Sequence, residues 1–228
     1  MRSHRIFIAV NLPEKIKNKL AGYQEKWPDL PVRWTKKEKL HLTLMFLGYL
    51  SDEELLEVCK ITEEIASKNS SFLINFKKIC YGPPQKMPPR MIWVEGEKSE
   101  KLGKLQKNLE NSFLASSTSR AAAKSKSALR SFSPSLSLRE SSVAEEEDLS
   151  SSTSRAAAKD LESRPYTPHL TLGRIKTWEF RKIEPEERPK IDEDINLSFE
   201  VNSIEIMESQ LKRGGPKYTI LENFPLSL

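Results

Sequence analysis

The sequence predicts a protein of mixed α-helices and β-strands. Dense apolar runs of strand length alternate with longer segments in which apolar residues recur every three to four positions. Over the first half of the chain these patterns follow one another in the order β-α-β-α-β-β-α. Two of the strand-like runs contain the same tetrapeptide, His-Leu-Thr-Leu. This repeat makes the two runs the leading candidates for a functional site.

The first strand and the first helix are predicted near the N-terminus. The run 5–12 has the apolar density of a buried strand. Pro13 follows it and suits the first turn of a helix, because its missing N–H would be unpaired there in any residue. The apolar stripe of this predicted helix consists of Ile16, Leu20, Tyr23 and Trp27.

A second strand and helix follow a proline-containing stretch. The run 40–48 is predicted as a strand that ends at Gly48. Ser51 and Glu54 have the spacing of a capping box, in which each side chain bonds a free backbone N–H of the other residue. The amphipathic helix predicted from there carries the stripe Leu55, Val58, Cys59, Thr62 and Ile65.

The remaining elements are predicted on both sides of a change in composition. Strands are predicted over 72–80 and 90–94, on either side of a proline-rich turn, and a third helix follows. Its stripe is Leu102, Leu105, Leu109 and Phe113. After the second tetrapeptide, further strands are predicted within 195–208 and over 218–224, with a turn at Gly214-Gly215-Pro216.

The segment 115–159 differs in composition from the rest of the chain. About a third of the residues from Ser116 to Lys159 are serine, and large apolar side chains are few. The nonapeptide Ser-Ser-Thr-Ser-Arg-Ala-Ala-Ala-Lys occurs at both ends of this stretch, at 116–124 and 151–159. We therefore expect a single domain over 1–228 that is interrupted by a flexible insertion. The exact repeat favours engineered linker sequence over a native loop.

Composition excludes several classes of protein. The two cysteines, Cys59 and Cys80, cannot make a disulfide framework and lack the spacing of metal ligands. No apolar run approaches the roughly 20 residues needed to cross a bilayer, and the N-terminal run has no signal-peptide cleavage pattern. We expect a cytoplasmic protein without membrane attachment. The net charge of +5 is compatible with a polyanionic partner and is only a mild indication of one.

The duplicated tetrapeptide points to acid–base chemistry. Side chains alternate along a strand, so His41 and Thr43 share one face, as do His169 and Thr171, while the leucines point to the other face. Histidine titrates near neutral pH, so one imidazole can accept a proton while another donates one. Threonine hydroxyls and a nearby arginine can hold phosphate oxygens. This combination favours displacement at phosphorus.

Two other interpretations of the histidines are weaker. A single histidine on an apolar strand is usually structural, but duplication of the whole tetrapeptide argues against that for His41 and His169. A zinc site is disfavoured because catalytic zinc usually needs three protein ligands, and neither tetrapeptide has Cys, Asp or Glu at a ligand-like position. The third histidine, His4, stands alone near the terminus, and we expect it to be solvated.

These motifs resemble the 2H phosphoesterase superfamily, which is defined by two His-x-Thr-x motifs. The chain is most similar to the RNA 2′,3′-cyclic phosphodiesterase branch, also called 2′-5′ RNA ligase or LigT-like. The stretches that carry this resemblance are 5–13, 89–94, 166–174 and 208–218. It covers nearly the whole chain except 115–159.

The resemblance implies an α+β, bilobal fold with two pseudo-symmetric lobes, antiparallel sheets that line a central cleft, and helices outside. It also implies metal-independent opening of ribose 2′,3′-cyclic phosphates on RNA ends or short oligonucleotides, by a monomer that needs no cofactor. Carried over by position, His41 and His169 are the catalytic pair, and His169 would activate water while His41 protonates the leaving oxygen. The sequence leaves this order open.

Five further positions are substrate-binding candidates by the same resemblance. Thr43 and Thr171 would bind phosphate, and Arg174 follows the second motif closely enough to contact it. Arg90 and Phe7 would line the nucleotide pocket, although Arg90 is equally compatible with a surface charge, and for Phe7 a core position is favoured over stacking on a base. Tyr218 is compatible with simple packing.

Two alternatives to a cyclic phosphodiesterase remain open from the sequence. The chain can be a module that binds RNA ends or nucleotides without turnover. It can also be an engineered scaffold that carries an inserted peptide, in which case removal of 116–159 should leave it folded and active. The resemblance further implies reversible 2′-5′ RNA ligation as a minor activity.

Overall fold

A computed structural model of the chain describes residues 3–83, 88–115, 166, 168–213 and 215–227. The segment 116–165, which holds nearly all of the predicted insertion, lies outside the described residues. The strands are β1 (His4–Asn11), β2 (Val32–Trp34), β3 (His41–Leu50), β4 (Phe72–Gly82), β5 (Met91–Gly96), β6 (His169–Ile175), β7 (Asp192–Val201), β8 (Ser203–Lys212) and β9 (Gly215–Pro225). The helices are α1 (Glu14–Gln24), α2 (Asp52–Ser67), α3 (Glu100–Ala115) and α4 (Thr177–Arg181).

The strands form two antiparallel sheets. The first has the order β3-β1-β8-β9, and the second has the order β2-β6-β5-β4-β7. Neither sheet corresponds to one half of the sequence, because β8 and β9 join the N-terminal strands while β2 pairs with β6. The predicted α+β fold with two antiparallel sheets is confirmed, and the chain passes between the sheets more than once.

The first strand is buried on both faces, which explains its continuous apolar run. Ile6, Ile8 and Val10 belong to the main core, whereas Phe7 and Ala9 form a second cluster with Met207. Helix α2 contacts three strands of the first sheet and also contacts α3. The helices thus cover one face of that sheet, and the Phe7 cluster lies on its other face.

The predicted capping box at the start of α2 is confirmed. The Ser51 hydroxyl accepts a hydrogen bond from the Glu54 backbone N–H at 3.3 Å, and the Ser51 N–H donates to the Glu54 carboxylate at 2.7 Å. Helix α1 ends earlier than the apolar stripe predicted. Trp27 lies beyond Gln24, and its ring stacks on Trp34 with 6.3 Å between centroids.

The sequence did not predict strand β2 or helix α4, nor the two short 3-10 helices Lys37–Lys39 and Pro185–Glu187. Strand β2 exists because Val32 to Trp34 pair with Gly173 to Ile175 of β6, and three residues carry no periodic signal of their own. Helix α4 has five residues, which is too short for an amphipathic stripe. No helix in the described part of the chain is long and apolar enough to cross a membrane.

His4 is partly solvated, with 22% of its side chain exposed, but it also has two carboxylate partners that the sequence did not predict. His4 Nδ1 lies 2.7 Å from the Glu208 carboxylate, and Nε2 lies 3.1 Å from the Asp52 carboxylate. The hydrogen bond to Glu208 is the largest cause that raises the pKa of His4. Glu208 belongs to β8 and is 204 residues away in the sequence, so no local sequence pattern predicts this contact.

Candidate active site

The two His-Leu-Thr-Leu motifs begin neighbouring strands of different sheets. His41 and Thr43 stand at the start of β3, and His169 and Thr171 stand at the start of β6. In both motifs the leucines are buried and the His and Thr side chains are more exposed, which matches the strand alternation. Cα atoms of β3 and β6 approach within 8 Å of each other across the boundary between the sheets.

Aromatic rings hold His41 in place. The centroid of its imidazole lies 5.0 Å from that of Phe7 and 5.1 Å from that of Tyr218, and the Tyr218 contact is edge-on at 86°. Nδ1 lies 2.8 Å from the backbone carbonyl oxygen of Lys39. A carbonyl only accepts hydrogen bonds, so Nδ1 carries a hydrogen and Nε2 is the nitrogen that can exchange a proton.

The surroundings of His41 favour its neutral form. Burial lowers the pKa of His41, and the positive charge of Lys17 lowers it further, while the hydrogen bond to Lys39 raises it in part. Lys17 is itself 5% exposed and lies on α1. An anion bound next to the ring would oppose both lowering effects.

His169 has a different environment. Its ring stacks on the indole of Trp93, with 4.3 Å between centroids and 29° between planes. Trp93 is in turn backed by Gly82, where a side chain would collide with the indole. The Thr171 hydroxyl lies 4.0 Å from the Met91 sulfur, a weak acceptor that leaves the hydroxyl able to bond a stronger one.

Positive charges from both sheets reach one tyrosine beside His41. Burial raises the pKa of Tyr218, and the charges of Arg174 and Arg5 lower it in part. Arg174 belongs to β6 and Arg5 to β1, so the two arginines approach the β9 residue Tyr218 from different sheets. Both arginines thus place positive charge near Tyr218, which contacts His41 of the first motif.

Two buried donors adjoin the second motif. Arg90 Nη1 and Trp93 Nε1 have no hydrogen-bond partner among the described residues. An unsatisfied buried donor costs about 1–3 kcal/mol, so a ligand oxygen that reached either atom would bind favourably. Arg90 immediately precedes β5, the strand that pairs with the strand of the second motif.

Phe7 lies beneath His41 and not on open surface. Its side chain is 2% exposed, and its ring also contacts Phe46 and Tyr218. In this position Phe7 orients the imidazole and offers little area to a nucleotide base. The described residues contain no group of three or more His, Cys, Asp or Glu side chains arranged to hold a metal ion.

Sequence reasoning did not single out Trp93, Lys17 or Arg5, and it treated Tyr218 only as a packing residue. Trp93 alternates with buried Ile92 and Val94 along β5, and that alternation was the available signal. Lys17 and Arg5 read as ordinary surface charges. Only their long-range neighbours give them a place at the site.

Comparisons with known proteins agree with this geometry. The family model described as LigT like Phosphoesterase matches residues 10–93. The RNA 2′,3′-cyclic phosphodiesterase of Aquifex aeolicus is 28% identical over 99% of both chains, and that of Methanocaldococcus jannaschii is 25% identical over 96% of this chain and 99% of its own.

Solved structures show the same fold. The protein TT0787 of Thermus thermophilus superposes with a TM-score of 0.68 at 25% identity, over 97% of each chain. LigT of E. coli complexed with 3′-AMP superposes with a TM-score of 0.63 over the full length of both chains. At 22% identity the second likeness shows the fold alone.

Proposed function

We propose that this chain is a LigT-like phosphoesterase of the hydrolase class, and that it opens ribose 2′,3′-cyclic phosphates on RNA ends to 2′-phosphates, as the names of its curated relatives suggest. The observation that carries the proposal is the pair of identical His-Leu-Thr-Leu motifs on neighbouring strands of two sheets. Each motif supplies one imidazole and one hydroxyl. Together they would hold a phosphate between the two strands.

The reaction is an in-line displacement at phosphorus. His169 takes a proton from water as the water oxygen bonds to phosphorus. The bond from phosphorus to the ribose 3′ oxygen breaks, and His41 gives its proton to that oxygen. The product is a 2′-phosphate with a free 3′ hydroxyl, and a proton relay through solvent resets the two rings.

Binding of the anionic substrate prepares His41 for its role. In the empty site burial holds the pKa of His41 below its ordinary value. A bound cyclic phosphate places a negative charge beside the ring and raises that pKa, so His41 takes up a proton as substrate enters. Positioned acids and bases of this kind contribute about 10²- to 10⁴-fold to rates.

The remaining side chains stabilise charge on the phosphate. The Thr43 and Thr171 hydroxyls donate to non-bridging oxygens from opposite sheets. Arg174 adds a positive charge from β6, and Arg90 supplies the buried Nη1 donor. No metal takes part in this scheme, because the His, Thr and Arg side chains supply the proton transfers and the charge stabilisation.

The direct test is turnover of an oligonucleotide with a 2′,3′-cyclic phosphate end in the presence of a chelator. Formation of an end that carries a 2′-phosphate supports the proposal. His41→Ala and His169→Ala should each lower kcat by about 10²-fold or more. His4→Ala is the matched control, because His4 bonds Glu208 and Asp52 and should leave kcat unchanged.

A module that only binds RNA ends would retain affinity for the oligonucleotide and form no product. An end that carries a 3′-phosphate would mean that the cyclic phosphate binds in the opposite orientation. We further propose 2′-5′ ligation as a minor reaction, in which a 5′-hydroxyl takes the place of water, attacks phosphorus and displaces the 3′ oxygen. It should appear when a 2′,3′-cyclic end and a 5′-hydroxyl end are supplied at high concentration. We further propose that the enzyme is a cytoplasmic monomer, which sedimentation and cell fractionation would check.

A further inference from the structure

Tyr166 bonds the first motif strand and stands just before the second in the sequence. It lies three residues before His169, at the entry to β6. Its hydroxyl donates a hydrogen bond of 2.6 Å to the backbone carbonyl oxygen of Thr43, in the middle of the first motif. The bond therefore runs from the segment that leads into one sheet to a strand of the other.

The position of β3 makes this bond available. Among the described residues β3 is an edge strand of the first sheet, so the backbone groups on its open side have no neighbouring strand there to bond. The Tyr166 hydroxyl donates its hydrogen bond to one of these backbone groups, the carbonyl oxygen of Thr43. Its ring packs against the main hydrophobic core, which limits the directions in which the hydroxyl can move.

The bond persists over the pH range in which the enzyme would work. Burial raises the pKa of Tyr166, so its hydroxyl keeps the proton that it donates. The acceptor is a backbone carbonyl and does not titrate. A separate side chain bonds β6, since the Gln24 amide donates to the carbonyls of Thr35 and Leu172 at 2.8 and 3.3 Å.

We propose that Tyr166 is a positioning residue, whose hydroxyl sets the separation of β3 and β6 and thereby the distance between the imidazoles of His41 and His169. This inference rests on the proposed function, since it assigns a purpose to the alignment of the two rings. Acid–base displacement needs both rings in line with the phosphorus, and a misplacement of about 1 Å can cost roughly 100-fold in rate.

The test compares Tyr166→Phe with Tyr81→Phe. The Tyr81 hydroxyl also donates to a backbone carbonyl at 2.6 Å, that of Pro189, away from both motifs. Each variant thus loses one phenol–carbonyl bond of the same length. We expect Tyr166→Phe to lower kcat by about 10- to 100-fold with KM changed less than about threefold, while Tyr81→Phe keeps both constants.

Thermal unfolding separates positioning from stability. If both variants melt at similar temperatures and only Tyr166→Phe loses kcat, the loss reflects alignment. Equal kcat in the wild type and in Tyr166→Phe, or equal losses in the two variants, would overturn the inference.

A readout without turnover keeps this inference apart from the proposed function. Amide hydrogen exchange should become faster in residues 41–45 and 169–173 of Tyr166→Phe, and stay unchanged there in Tyr81→Phe. If wild-type protein turns over no cyclic phosphate but amide exchange differs between the two variants as expected, the proposed function fails and the role of the Tyr166 hydrogen bond in holding β3 to β6 stands. Unchanged amide exchange in Tyr166→Phe refutes the positioning role of Tyr166, whatever the activity of the variant.

Discussion

Gly82→Ala should damage the site without touching either histidine. A Cβ atom at Gly82 would lie 2.2 Å from Cδ2 and 2.5 Å from Cγ of Trp93. Ordinary carbon contacts are about 3.5–4.0 Å, so the indole would have to retreat by roughly 1.5 Å. Cγ is bonded to the Trp93 Cβ, so rotation of the side chain cannot provide that retreat alone, and β5 must shift.

Two effects follow from that shift. Overpacking of this kind costs about 1–3 kcal/mol of stability, which lowers Tm by several degrees in a protein of this size. The indole also stacks on His169 at 4.3 Å, so its displacement moves the imidazole. A shift of the ring by about 1 Å should lower kcat by up to roughly 100-fold.

The assay measures turnover of a 2′,3′-cyclic nucleotide and thermal unfolding of the same samples. Gly22→Ala is the control, because a Cβ there meets nothing within 4 Å. Gly22 lies inside α1, so alanine should stabilise the protein by about 0.5–1 kcal/mol and leave kcat unchanged. Wild-type kcat and Tm in Gly82→Ala would refute the role given to the Trp93 stack.

Three further predictions concern charge, the α2 cap and the insertion. If His41 is the acid, kcat/KM should fall as pH rises through the lowered pKa of His41 in the free enzyme. Because bound phosphate raises that pKa, the fall of kcat should come at a higher pH than the fall of kcat/KM. A kcat/KM profile without this falling limb would count against His41 as the acid. Ser51→Ala should lower the free energy of unfolding by about 1 kcal/mol in denaturant titrations, with kcat unaltered, because it removes the cap of α2. Deletion of 116–159 should leave a folded enzyme with kcat near that of the full chain, since loop length has little effect on closure entropy; loss of folding, seen by circular dichroism, would count against an insertion.

The elements with strong local patterns were predictable from the sequence. β1 is marked by a continuous apolar run of strand length, and α2 and α3 by apolar stripes that repeat over two helical turns or more. Ser51 and Glu54 mark the start of α2. The tetrapeptides were predictable for the same reason, because alternation along a strand places His and Thr together. Short elements such as β2 depend on a distant partner and were missed.

The residues around the motifs could not be predicted in the same way. Trp93 is 76 positions from His169, and Tyr218 is 177 positions from His41, so no window of sequence relates them. Local periodicity depends on backbone geometry, which each short segment carries by itself. Which strands become neighbours depends on how two sheets share one core, and that arrangement sets the partners of His41, His169 and Tyr166.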